Sequence, residues 1–128
     1  MINPLALIIE DDENLAEVFR YALQNAEFET ETIQDGNVAL DRLAAVVPAV
    51  VVLDLHLPNV LGGEILHQIR ADERLTETRV ILATADALMA EKYRADADLV
   101  LLKPISTNQL VQLASRLHPP DTVLLQEN

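Results

Sequence analysis

Five polar side chains stand where apolar runs break off, and together they suit the chemistry of a phosphorylated carboxylate. Glu10 and Asp11 follow the run Leu5–Ile9, Asp54 follows Ala49–Leu53, Thr84 follows Arg79–Ala83, and Lys103 follows Leu99–Leu102 and precedes Pro104. Three carboxylates sharing a pocket repel one another, and protonation is favoured unless a cation is present. A hard divalent cation with oxygen ligands resolves this. Mg²⁺ (or Mn²⁺) takes one or two carboxylates and keeps water positions open for phosphate oxygens. Lys103 adds a compact positive charge and Thr84 a hydrogen-bond donor. Such a set around one carboxylate would stabilise an aspartyl-phosphate and the charge that develops as it forms.

These residues meet only if the runs are neighbouring parallel strands. Ala49–Leu53 is β-branched and without polar interruption, the pattern of a strand covered on both faces. Between the runs, apolar residues recur at helical spacing. Leu15, Val18, Phe19, Ala22, Leu23 and Ala26 form the first stripe. Ala39, Leu43, Val46 and Val47 form the second, stopped by Pro48, and Ile65, Leu66 and Ile69 the third, after Gly62-Gly63. Ala87–Tyr93 reads as a short helix. Ser106 begins the last one, with Gln109 as a capping-box partner and Leu110, Leu113 and Leu117 on one face. Phe28–Ile33 is a weaker, polar strand suited to a sheet edge, and Asp35-Gly36 signals a turn. Strands and helices alternating five times predict an α/β doubly wound (βα)5 sandwich. Its five-stranded parallel sheet takes the flavodoxin-like order 2-1-3-4-5. In such sheets chemistry gathers beyond the carboxyl ends of the strands.

The chain has 128 residues, enough for one cored domain, and half of them are hydrophobic. The domain is expected over residues 1–118, with 119–128 a tail or the start of a linker after Pro119-Pro120. A net charge of −12 argues against phosphate backbones and anionic membranes as partners. There is no cysteine, hence no disulfide, thiolate metal site or thiol nucleophile. No run approaches the roughly 20 apolar residues of a membrane span, and no signal-peptide pattern opens the chain. A cytoplasmic location is expected.

Four segments in order, each at a strand end, carry a resemblance. They are Leu7-Ile8-Ile9-Glu10-Asp11-Asp12-Glu13, Val52-Leu53-Asp54-Leu55-His56-Leu57-Pro58 with Gly62, Leu82-Ala83-Thr84-Ala85, and Leu102-Lys103-Pro104-Ile105. The sequence resembles the receiver domain of two-component response regulators, of CheY-like fold, from residue 5 to about 118. The resemblance implies that Asp54 accepts a phosphoryl group from a histidine kinase or a histidine phosphotransfer protein. It implies Mg²⁺ held by Glu10, Asp11, Asp54 and the backbone carbonyl of His56, with Asp12 left to start a helix. Thr84 would move toward the phosphoryl oxygens, Ala85 would admit them, Lys103 would pair with them, and the Lys103–Pro104 bond would be cis. His56 and Asp86, two residues past Asp54 and Thr84, would tune dephosphorylation. Such a domain catalyses its own phosphorylation and dephosphorylation, turns over no metabolite, and switches binding to a downstream protein or output domain.

Plainer readings stand beside these. Glu10 and Asp11 taken alone would cap the first helix, and Asp54 alone would be a loop residue satisfied by amides. Thr84 alone would be a strand-end hydroxyl, and Lys103 alone a solvated surface charge. The His56 imidazole as a metal ligand is the weaker reading. His67 and His118 are expected on helix exteriors, and Gly62-Gly63 marks a tight helix start. Two features depart from the family. Val100 stands where many members carry an aromatic. Thr84 to Lys103 spans only 19 positions, which shortens the fourth helix. Signalling through the usual dimer face of helix four, strand five and helix five is therefore not expected. The alternatives are a pseudo-receiver, acting as a phosphorylation-independent interaction module, and an aspartyl-phosphate phosphohydrolase. The latter wants an acid where His56 stands.

Overall fold

The structure is a computed structural model and describes residues 3–119. Its order is β1 (Leu5–Ile9), α1 (Glu13–Asn25), β2 (Glu29–Ile33), α2 (Gly36–Ala45), β3 (Val50–Asp54), α3 (Gly62–Ala71), β4 (Arg79–Thr84), α4 (Ala87–Tyr93), β5 (Leu99–Leu102) and α5 (Thr107–Leu117). Short 3₁₀ turns follow α3 at Glu73–Leu75 and α4 at Arg94–Asp96. All strand pairs are parallel, and the sheet order is β2-β1-β3-β4-β5. The doubly wound reading, with polar β2 at an edge and a short α4, therefore holds. The tail expected over 119–128 lies, except for Pro119, outside the described residues.

Strand side chains alternate between two layers because successive residues point to opposite faces. Ala6, Ile8, Val50, Val52, Ile81 and Ala83 face α1 and α5, where they meet Phe19, Leu23, Leu110 and Ala114. Leu7, Ile9, Val51, Leu53, Val80 and Leu82 face the other way, onto Leu43 of α2 and Ile65, Leu66 and Ile69 of α3. Both faces being covered explains the unbroken apolar runs of β1 and β3.

Helix starts follow side-chain caps, which satisfy amides that have no partner within the helix. Asp12, Asp35, Asp86 and Ser106 each accept backbone N–H groups of the first turn of α1, α2, α4 and α5. Asp12 thus serves the helix start, as expected. The α2 stripe is shorter than its pattern: the helix ends at Ala45, and Val47 is exposed. Pro48 keeps the residue before it out of helical geometry, so the stop falls ahead of the proline. His118 also differs from expectation. It is half-buried at the end of α5, with its ring edge-on to Phe28 at 5.2 Å between centroids, whereas His67 is exposed.

Gly62 sets how closely α3 approaches β3. Its N–H donates to the Leu55 carbonyl at 3.1 Å. A Cβ there would run into the Asp54 carbonyl oxygen and lie 2.6 Å from Leu55 Cα. Both are backbone atoms, which yield only if the loop after Asp54 moves. Gly62→Ala is expected to destabilise the fold by about 1–3 kcal/mol, the usual cost of overpacking. Urea denaturation would show it as a lowered midpoint; an unchanged midpoint would mean the loop adapts freely.

Candidate functional site

The carboxyl ends of β1, β3, β4 and β5 bring the predicted set together. Ile9 pairs with Leu53, Asp54 with Ala83, and Thr84 with Leu102. Asp54 and Thr84 are the last residues of β3 and β4 rather than the first residues beyond them, so the sheet itself fixes their backbones. Glu10, Asp54 and Thr84 are buried, while Asp11 is exposed at the rim. Glu10, Asp11 and Asp54 each place a carboxylate oxygen within 4.8 Å of the others, which makes them a metal-capable group.

Lys103 reaches this group from β5, and its own N–H donates to the Thr84 carbonyl at 2.9 Å. Its Nζ lies 3.0 Å from Glu10 Oε1 and 3.4 Å from Asp54 Oδ2. The Lys103–Pro104 peptide is cis. Asp54 Oδ1 accepts the His56 N–H at 3.0 Å, which fixes the carboxylate plane. Glu10 Oε2 accepts the Asp12 N–H at 3.2 Å. Glu10 Oε1 is fully buried, and the Lys103 ammonium is its one cationic neighbour among the described residues.

Burial, reinforced by the neighbouring Asp54 carboxyl, pushes the Glu10 carboxyl up to about 7, against the opposing pull of Lys103. Burial works against the charge of Lys103, but Glu10 and Asp54 outweigh it and hold the ammonium above its ordinary value. A buried carboxylate that resists ionisation beside two more carboxylates, with one ammonium among them, is what a divalent cation relieves. The residues present fit Mg²⁺.

A pH dependence follows. Glu10 has a folded value above its unfolded one of 4.5, so its contribution to stability is full below pH 4.5 and is lost as pH rises through about 7. Without metal, stability is expected to fall between pH 5 and 8, and saturating Mg²⁺ is expected to remove the fall by favouring the carboxylate. Chemical denaturation at both pH values, with and without Mg²⁺, measures this. A slope that Mg²⁺ leaves unchanged would detach Glu10 from the cation.

The remaining expected residues surround this group. Thr84 Oγ1 accepts the Asp86 N–H at 3.1 Å, and Ala85 is exposed beside it. Asp86 Oδ1 is engaged by the amides of Leu88 and Met89, so one of its oxygens caps α4. Its Oδ2 lies 4.0 Å from His56 Nε2. The exposed imidazole of His56 is thus directed at Asp86 and is not one of the grouped metal-capable side chains. Val100 is half-buried in the core beneath α4.

One contact at the site has no local sequence signal. The Asn59 amide donates to Asp35 Oδ2 at 2.6 Å, and the Gly36 N–H donates to the Pro58 carbonyl at 3.2 Å. The loop after Asp54 is thereby tied to the start of α2. Asn59 stands at φ 71°, a left-handed conformation asparagine tolerates better than most residues. Only the sheet order, which sets β2 and β3 on either side of β1, reveals the pairing.

A family model described as the response regulator receiver domain matches residues 6–115. A Haloferax volcanii protein provisionally named a transcriptional regulator is 36% identical over 113 residues, which is 88% of this chain and 19% of that one. The phosphate regulon transcriptional regulatory protein PhoB of Rhizobium meliloti is 33% identical over 111 residues, 84% of this chain and 49% of PhoB. The solved BeF3-activated DrrB receiver domain superposes with a TM-score of 0.79 at 29% identity, covering 90% of this chain and 97% of that one. The chain thus spans half or less of the two regulators, whose names attach transcriptional regulation to the longer proteins. The expectation that nucleic acid is not a partner gains no support from them. No helix among the described residues is long and apolar enough to cross a membrane.

Proposed function

Because this chain belongs to the response regulator receiver domain family, a signalling domain of two-component systems, we propose that Asp54 is its phosphoacceptor. The observation that carries the reading is the position of Asp54. It is buried at the end of a central strand, one oxygen is fixed by the His56 N–H, and the other faces the Lys103 ammonium.

In the proposed reaction an Asp54 carboxylate oxygen attacks the phosphorus of a phosphohistidine on a histidine kinase or phosphotransfer protein. The P–N bond breaks as the P–O bond forms, and the departing imidazole nitrogen keeps the electron pair and takes up a proton. Lys103 balances charge on the transferred oxygens. The Thr84 hydroxyl donates to one of them, and Ala85 leaves room for the group. Glu10, Asp11, Asp54 and the His56 carbonyl would hold Mg²⁺, which when bound supplies positive charge to the phosphoryl oxygens. His56 and Asp86 flank the site and tune how long the phosphoryl group survives. The domain turns over no metabolite. It changes its affinity for a downstream partner, in a cytoplasmic setting.

No observation favours a phosphorylation-independent module, which would need none of these groups. The test is incubation of the chain with acetyl phosphate and Mg²⁺, followed by intact mass. A gain of one phosphoryl mass that is lost with a chelator is expected. No gain, even with a panel of phosphorylated kinases, would overturn the reading.

A further inference from the structure

The layer formed by α2, α3 and α4 against the sheet contains one aromatic residue, Tyr93, the last residue of α4. The other three aromatics lie elsewhere. Phe19 and Phe28 pack in the α1–α5 layer, and Tyr21 is exposed. The Tyr93 ring lies on Gly63, so that a Cβ at position 63 would collide with its ring tip and hydroxyl. The ring therefore occupies the space that a side chain on the first turn of α3 would otherwise fill. Lys92 Nζ stands 5.3 Å from the ring centroid.

This contact is one step from the site. Gly63 follows Gly62, which backs directly onto the Asp54 carbonyl. The other end of α4 is also attached there, because the Asp86 N–H at its start donates to Thr84 Oγ1. The short helix is thus held at both ends by groups that lie next to Asp54 or one residue removed from it. In the proposed function the Thr84 hydroxyl turns to a phosphoryl oxygen and reorients relative to the Asp86 N–H. The far end stays fixed by Tyr93. It is reinforced by Arg70 of α3, whose Nε and Nη2 donate to the Asp96 carbonyl at 2.7 Å and to Asp98 Oδ2 at 2.9 Å. A helix freed at one end and pinned at the other turns about the pin.

We propose that Tyr93 is a positioning residue that couples the Asp54 site to α4, its ring pinning the end of the helix through Gly63 to the first turn of α3, which backs onto Asp54. The inference rests on Asp54 being the phosphoacceptor, and the experiment separates the two.

Backbone amide shifts of the 128-residue chain are recorded while beryllofluoride, a mimic of the phosphoryl group, is added with Mg²⁺. In the wild type, shifts are expected at Asp54, Thr84 and Lys103 and also along Ala87–Asp96. Tyr93→Ala is expected to keep the first set, with half-saturation unchanged, and to lose the second. Tyr93→Phe, which keeps the ring, is expected to restore it, a rescue that mere filling of the core by aliphatic carbon would not need. Tyr93→Leu gives the same reading as Tyr93→Ala if the alanine variant fails to fold. Shifts along α4 in Tyr93→Ala or Tyr93→Leu as large as in the wild type would overturn the role of Tyr93. Absence of shifts at Asp54, Thr84 and Lys103 in the wild type would instead overturn the phosphoacceptor reading, and the coupling with it.

Discussion

Asp54→Asn is expected to abolish the phosphoryl gain entirely while leaving the fold intact. The amide is nearly isosteric, and its oxygen can still accept the His56 N–H that now fixes Asp54 Oδ1. What it lacks is the charge that makes the oxygen a nucleophile and a ligand for a cation. Removing that charge also relieves Glu10, whose ionisation is opposed by burial first and by Asp54 next. The metal-free variant is therefore expected to be at least as stable as the wild type at pH 8, and its Mg²⁺ binding to be weaker. Intact mass after acetyl phosphate treatment, thermal unfolding and calorimetric titration with Mg²⁺ read the three effects. A phosphoryl gain equal to the wild type's would place the acceptor elsewhere.

Lys103→Ala is expected to move two quantities in opposite directions. The ammonium is the only cationic side chain among the described residues that contacts Glu10 and Asp54. Without it, charge on the transferred group is less well balanced. Removing one such preorganised group typically costs about 10²-fold in rate, and phosphorylation by acetyl phosphate at fixed Mg²⁺ is expected to slow by about that factor. Mg²⁺ affinity is expected to rise, since the cation no longer shares its carboxylates with an ammonium. In the absence of metal the variant leaves two buried carboxylates without a cationic partner, and its stability at pH 8 is expected to fall and to recover when Mg²⁺ is added. Stopped-time mass spectrometry and calorimetric titration separate the two quantities. An unchanged rate would remove Lys103 from the reaction.

The sheet and the positions of Glu10, Asp54, Thr84 and Lys103 were legible in the sequence for a physical reason. A strand covered on both faces must be apolar along its length, so a polar residue that ends such a run marks the strand's exit from the core. Neighbouring parallel strands then place those exits side by side. The short α4 was legible because Ala87–Tyr93 reads as one short helix and only 19 positions separate Thr84 from Lys103, whereas its cap by Asp86 was not read from the sequence. What lay beyond reach were contacts between residues far apart in sequence and without periodicity. Asp35 and Asn59 are 24 positions apart, and each alone reads as a turn residue. Tyr93 and Gly63 are 30 apart, and a glycine gives no sign of which ring covers it. His118 read as a surface residue because Phe28, which it packs against, comes from the opposite end of the chain. Val47 matched a helical stripe that Pro48 had already ended.

The most direct measurement is chemical mapping of the acceptor. The chain is phosphorylated with acetyl phosphate and Mg²⁺, reduced with borohydride, which converts an aspartyl-phosphate to homoserine, and sequenced as peptides by mass spectrometry. Homoserine at position 54 alone is the expected result. Homoserine at Asp11 or Asp86, or at no position in a chain that carries a bound cation, would contradict Asp54 as the phosphoacceptor.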